Sequence, residues 1–358
     1  MKESITVKLP EVIERFPEAL ERCLYNVPRS KINRVERDVH LTNGMTADLF
    51  VGLTVLGRPQ KMLVEVSPNG QPRRAREALD QLRRMRADSI ARDAYPVFFA
   101  PYVSEASARI CREDDTGYLD LVGNCRLAFG NAYVEKVSPE NPYKERRSRA
   151  SLFSPKSSRV IRLMLGESRP WQVQQLASAA EVSLGLASKV KKELEEREWI
   201  LSTEEGIKLA DPEQVLMEWA KVYSYKKNSV GEYYTMAGTE EAELAIANWC
   251  GKNQVRYALT GFSGARMSAP RVRYSRSTVY VESKLETVAA GVKLKPVDTG
   301  GNVLLLEPYD QGVFQQSRVL YGNRVVSPVQ LYLDLQSMSG RGEEAAEEVL
   351  VRELRPSW

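Results

Sequence analysis

The chain contains one histidine, His40, in 358 residues. Metal sites built on imidazole need several such rings, and a Ser/His/Asp arrangement would rest entirely on this one, so neither chemistry is expected. Cysteine is almost as sparse. Cys23, Cys111, Cys125 and Cys250 are scattered without a CxxC spacing, which reads as free, mostly buried thiols in a reducing cytoplasm. No uninterrupted apolar run approaches the roughly 20 residues that cross a bilayer, and the opening MKESITVKLP lacks the apolar core of a signal peptide. A soluble cytoplasmic protein with no membrane partner is therefore expected. Neither sign of charge dominates: 51 basic residues against 47 acidic ones leave a formal net charge of +4. Affinity for a polyanion has to come from local clusters.

What is present is length, enough for two or three hydrophobic cores. Residues 141–158, NPYKERRSRASLFSPKSS, have the composition of a linker, and KKNSVGE at 226–232 marks a weaker boundary. The expected organisation is an α/β multidomain protein: an α/β domain over 1–150, a helical module over 151–228 and a second α/β domain over 229–358.

The middle block is the most regular. Val173, Leu176, Ala177 and Ala180 fall at i, i+3, i+4 and i+7, one apolar stripe of a short helix. After a break at Glu181-Val182, Ser183 can cap a second helix in which Leu186, Ala187, Val190 and Leu194 form a matching stripe. Two short helices joined tightly predict a helix-turn-helix. Opposite the stripe lie Gly185, Ser188 and Lys192, flanked by Lys189 and Lys191, while glutamates gather at the carboxyl end. Small residues let a helix sink into a major groove, and lysines meet phosphates at its edges. WILSTEEGIKLADP then predicts a hairpin around Glu204-Glu205-Gly206, with Lys208 as its only cation. With the preceding SSRVIRLMLG helix, the block reads as a winged helix-turn-helix contacting DNA through Ser183, Gly185, Ser188, Lys189, Lys191, Lys192 and Lys208.

The first block opens with a helical pattern over 10–25. Strands over 46–53 and 61–68 follow, joined by a turn at Gly57-Arg58-Pro59, then an Arg-rich helix over 72–90 and a buried strand over 95–103. Asp48 and Glu65 stand on the two strands, and Glu65-Val66-Ser67 occupies the place of Glu-x-Lys in a restriction-endonuclease-like, PD-(D/E)xK fold. That chemistry needs two carboxylates for Mg²⁺ and a lysine beside the attacking water, which Ser67 cannot supply. The expectation is a degenerate, inactive domain with no catalytic residue, metal or cofactor. The alternative is a metal-dependent DNA endonuclease whose lysine is displaced. Arg73, Arg74, Arg83 and Arg84 on the next helix could contact phosphate, or form i,i+4 pairs such as Arg73–Glu77 and Arg84–Asp88.

In the last block Arg266, Arg271, Arg273 and Arg276 are interleaved with Phe262, Tyr274 and Tyr280, a mixture suited to nucleic acid or an acidic partner. Thr260-Gly261-x-x-Gly264 after an apolar strand looks like the opening of a nucleotidyltransferase fold, but no Asp-x-Asp follows. Ser327 caps one helix, Gly340 closes it, and a glutamate-led helix follows.

The order of GYLDLVGN (117–124), a winged helix ending in EEREWI, LTGFSGA (259–265) and VVSPVQLYLDLQSMSGRGEEAAEEVL (325–350) resembles the AbiEi-type antitoxins of type IV toxin–antitoxin systems over most of residues 46–354. The resemblance implies a bacterial transcriptional regulator, not an enzyme, that binds double-stranded DNA at its own promoter. It also implies opposition to a nucleotidyltransferase-type toxin without stable contact to it. The chain departs from shorter members in carrying an amino-terminal domain, with its winged helix in the middle.

Overall fold

The computed structural model describes residues 8–129, 132–137, 152–268 and 274–358. The chain divides into two compact units, one of residues 1–149 with 193–198 and the other of 150–192 with 199–358.

In the first unit the elements run α1 (Leu9–Glu14), α2 (Phe16–Leu24), β1 (Lys31–His40), β2 (Thr46–Val55), β3 (Arg58–Val66), α3 (Pro72–Met85), β4 (Tyr95–Ala100), α4 (Glu105–Glu113), β5 (Gly117–Asp120), β6 (Cys125–Phe129) and β7 (Ala132–Lys136). The seven strands form one sheet in chain order. β1 to β3 are an antiparallel meander, β3 to β5 are parallel through the α3 and α4 crossovers, and β5 to β7 return antiparallel. Two-residue alternation splits the core. Val97 and Phe99 of β4 face Phe16, Leu20 and Cys23 of α2, whereas Phe98 and Ala100 face Ala75 and Leu79 of α3 and Cys111 of α4.

Three details differ from the sequence expectation. β1 is an additional edge strand. The β2–β3 hairpin turns at Leu56-Gly57, both at positive φ (52° and 78°), because Val55 pairs with Arg58; Pro59, with its φ fixed negative, belongs to β3. The four thiols are not all free: Cys23 on α2 and Cys125 on β6 form a disulfide across the helix–sheet interface with Cα atoms 6.7 Å apart, leaving Cys111 and Cys250 buried. Protein purified without reductant and then denatured should titrate two thiols, rising to four after reduction; four from the start would contradict the bond.

GYLDLVGN is a turn built on one carboxylate. Asp120 Oδ1 accepts the amides of Val122, Gly123 and Asn124 at 2.8–2.9 Å, and Oδ2 accepts Val103 N–H and the Asn124 side chain at 3.1 and 2.6 Å. A buried acid here is held by donors on every side.

The second unit begins with α5 (Pro155–Gly166), α6 (Val173–Ala179), α7 (Leu184–Glu196) as far as Lys192, its last turn being counted with the first unit, then the hairpin β8 (Ile200–Thr203) and β9 (Gly206–Leu209), and α8 (Pro212–Ala220). The stretch expected to lead from linker into helix does so two residues early, since α5 begins at Pro155 rather than Ser157; residues 141–151 of that stretch lie outside the described residues. The rest comprises β10 (Ser229–Tyr234), α9 (Thr239–Lys252), β11 (Tyr257–Leu259), α10 (Gly261–Ser268), β12 (Ser277–Val281), α11 (Leu285–Gly291), β13 (Lys295–Pro296), β14 (Val303–Glu307), β15 (Arg318–Leu320), β16 (Asn323–Val325), α12 (Pro328–Gln336) and α13 (Gly342–Val349). Its seven-stranded mixed sheet runs β13-β10-β14-β12-β11-β16-β15. α9 and α11 cover one face through Ile246, Cys250 and Val288.

α5 is buried from Val160 through Leu165, Arg162 included, rather than along one face only. The Arg162 guanidinium lies 4.6 Å from the Trp219 ring, and Arg159 makes a bidentate pair with Asp310 at 2.7–3.1 Å. Trp358 Nε1–H donates to the Leu165 carbonyl at 2.7 Å. The Arg159–Asp310 pair thus ties α5 to the segment after β14, and Trp358 ties it to the carboxyl end, whereas Arg162 and Trp219 meet within the helical segment.

Candidate nucleic-acid interface

α6 and α7 bury their small and aliphatic residues: Leu176, Ala177, Ala180, Ala187, Val190 and Leu194 are each at most 6% exposed. The turn between them uses Glu181 at φ 54°, and Ser183 Oγ accepts the Leu186 amide at 3.3 Å, so the serine caps α7. The hairpin closes at Glu204-Glu205. Trp171 adds a third extended segment, exchanging two backbone hydrogen bonds with Ile207 at 2.8 and 2.9 Å. Gly206 is required by that approach, since a Cβ there would meet the Trp171 carbonyl oxygen at 2.4 Å.

On the opposite side of α7, Ser183, Gly185, Ser188, Lys189 and Lys192 are all exposed, and a Cβ at Gly185 would meet nothing within 4 Å. Lys191 is half-buried, and Lys208 is exposed on β9. The strip therefore offers small groups and two ammonium groups on one open helix face.

Five of the other candidate arginines, Arg73, Arg74, Arg83, Arg266 and Arg276, face carboxylates. Arg73 and Arg74 both bond Glu77, at 3.1 and 2.8 Å, and Arg83 pairs with Asp80 and Asp114. The anticipated Arg84–Asp88 pair does not form, because Asp88 is claimed by Thr42 Oγ1–H and by the amides of Asn43 (3.0 Å) and Ile90 (2.8 Å). Arg266 pairs with Glu240, with its guanidinium 5.9 Å from the Tyr274 ring, and Arg276 pairs with Glu232 at 2.7 Å. Arg271 and Arg273 lie outside the described residues.

Asp48 and Glu65 sit side by side on β2 and β3. Asp48 Oδ2 accepts the Val66 amide at 2.7 Å. Burial raises both carboxyls, and with the Asp48 charge adjacent Glu65 is pushed up to about 8. Glu65 Oε2 and Ser67 Oγ are buried without a hydrogen-bond partner. Among the described residues no group of three or more His, Cys, Asp or Glu side chains is placed to hold a metal ion. His40 is exposed on β1, 3.0 Å from Thr46 Oγ1.

The elevated Glu65 has a sign. Between 4.5 and about 8 the folded protein keeps a proton that the unfolded chain releases, so stability falls as pH rises through that window. Glu65→Gln is expected to raise unfolding free energy by about 1–2 kcal/mol at pH 8 and to change it little at pH 5. Parallel urea titrations at the two pH values test this, and an equal effect at both would mean that Glu65 titrates normally.

The geometry defines a mixed α/β protein whose second unit joins a helix–hairpin segment to a seven-stranded sheet; no helix among the described residues is long and apolar enough to cross a membrane. Residues 208–354 match the family described as transcriptional regulator, AbiEi antitoxin, type IV TA system. That stretch starts on β9 and takes in the whole sheet of the second unit; α6, α7 and the first unit precede it. No curated protein and no solved structure matches the chain significantly.

Proposed function

We propose that the protein is a cytoplasmic DNA-binding transcriptional regulator that represses its own promoter as the antitoxin of a type IV toxin–antitoxin system. The observation that carries the reading is the exposed strip Gly185, Ser188, Lys189, Lys192 on a helix whose other face is packed. α5, α6, α7 and the β8–β9 hairpin act as a winged helix-turn-helix: α7 enters the major groove, Ser188 approaches base edges and the two lysines neutralise phosphates. The family match over residues 208–354 supports the regulatory role. The sheet of the second unit serves as a nucleotidyltransferase-like scaffold, and the pairing with a nucleotidyltransferase-type toxin is functional rather than a stable complex.

The first unit is read as an inactive restriction-endonuclease-like scaffold. In support stand the succession of helix, three antiparallel strands, helix and parallel strand, and two carboxylates without a lysine. The reading does not require the displaced-lysine endonuclease.

Selection of bound duplexes from a random pool, followed by anisotropy on the enriched sequence and on the promoter upstream of the protein's own gene, tests the proposal. The enriched sequence should occur in that promoter and bind at least about 1,000-fold more tightly than scrambled DNA. No enrichment would remove the regulator reading.

A further inference from the structure

A cavity of about 550 Å³ opens in the second unit between the α12–α13 connection and the sheet. Its volume falls in the range of small-molecule sites and is too small for duplex DNA. Buried Leu304 and Ala345 form an apolar floor. Three aromatic rings from three separate segments line it: Tyr225 before β10, Phe262 on α10 and Tyr274 before β12. Tyr274 is held in place by its hydroxyl, which donates to the Glu243 carboxylate at 2.9 and 3.0 Å. Two guanidinium groups also line the cavity. Arg341 is largely exposed and meets Glu344 only at 3.7 Å, while Arg276 is paired with Glu232 at 2.7 Å.

We propose that this cavity binds a nucleoside monophosphate. Aromatic faces stack on any nucleobase, and guanidinium groups take a phosphate in a fork geometry that lysine cannot supply. The exposed, long Arg341–Glu344 pair is weak, so a phosphate dianion displaces it at little cost. Glu344 and Glu348 also line the cavity and accept from ribose hydroxyls or an exocyclic amine. Arg276 and Glu348 are already engaged, with Glu232 at 2.7 Å and Arg352 at 2.8 Å, so Arg341 is the loosely held cation of the site, and one such cation suits a monophosphate better than a triphosphate. Tyr225 brings the site against the connector between α8 and β10, where its amide donates to Ser337 Oγ at 3.2 Å. The proposal stands apart from DNA binding and can fail or hold on its own.

Calorimetric titration of the full-length protein with AMP, GMP, CMP and UMP tests it, with inorganic phosphate and the nucleoside and triphosphate of each base as comparison ligands. At least one monophosphate should bind in the micromolar range, and its nucleoside, inorganic phosphate and the corresponding triphosphate should each bind about ten-fold or more weakly. Arg341→Ala, at an exposed position, should leave the circular dichroism spectrum unchanged and weaken that monophosphate about ten-fold, with Tyr225→Leu acting likewise. Absence of binding at millimolar concentration would overturn the proposal, as would inorganic phosphate binding as tightly as the monophosphate or full affinity in Arg341→Ala.

Discussion

Asp334→Ala is expected to destabilise the second unit by about 3–5 kcal/mol, because it leaves buried donors facing nothing. Asp334 is fully buried on α12. Tyr223 Oη–H, Gln330 Nε2–H and Tyr280 Oη–H donate to its Oδ1 at 2.6, 2.9 and 3.0 Å, and Thr260 Oγ1–H donates to Oδ2 at 2.5 Å. Burial pushes the carboxyl up and these four donors pull it back, while burial beside the carboxylate holds both tyrosines well above their usual range. The donors come from α12, β11–α10, β12 and the segment after α8, so one carboxylate ties together much of the unit. Asp334→Asn keeps the shape but aims an amide N–H at a donor, so it should recover only part of the loss. A thermal scan is sufficient, with the alanine variant expected to melt roughly 10 °C lower. A wild-type melting temperature would mean that water replaces the carboxylate without cost.

The sequence exposes the features that arise from short-range periodicity. The α6 and α7 stripes, the Ser183 and Ser327 caps and the Asp48–Glu65 neighbourhood all follow from residues close in the chain or on adjacent strands. What escapes it depends on contacts far apart. β1, KINRVERDVH, is an edge strand with no fully buried side chain, so it carries no apolar alternation to find. Cys23 and Cys125 meet only because α2 lies on the sheet, 102 positions from its partner. Asp334 in LYLDLQ becomes an interior hub only through Tyr223 and Tyr280, which lie 111 and 54 positions away in the chain. Arg162, a charge inside an apolar run, is accommodated by the face of Trp219. The cavity joins Phe262, Tyr274 and Arg276, which the sequence marks, to Tyr225 and to the α12–α13 connection with Arg341 and Glu348, which it does not.

The regulator reading rests on an open, cationic helix face meeting a polyanion. Lys189 and Lys192 are exposed on that face, one turn on from Gly185 and from Ser188 respectively, where phosphates flank a groove. Each phosphate contact adds about 0.9 to the slope of log affinity against log salt. The direct measurement is anisotropy of wild-type protein and the Lys189→Ala/Lys192→Ala double variant on the enriched duplex, between low and physiological salt. The double variant should bind about 10- to 100-fold more weakly and lose about one to two units of salt slope, with an unchanged circular dichroism spectrum. Equal affinity and equal slope in the two proteins would contradict the assignment of α7 as the DNA-contacting element.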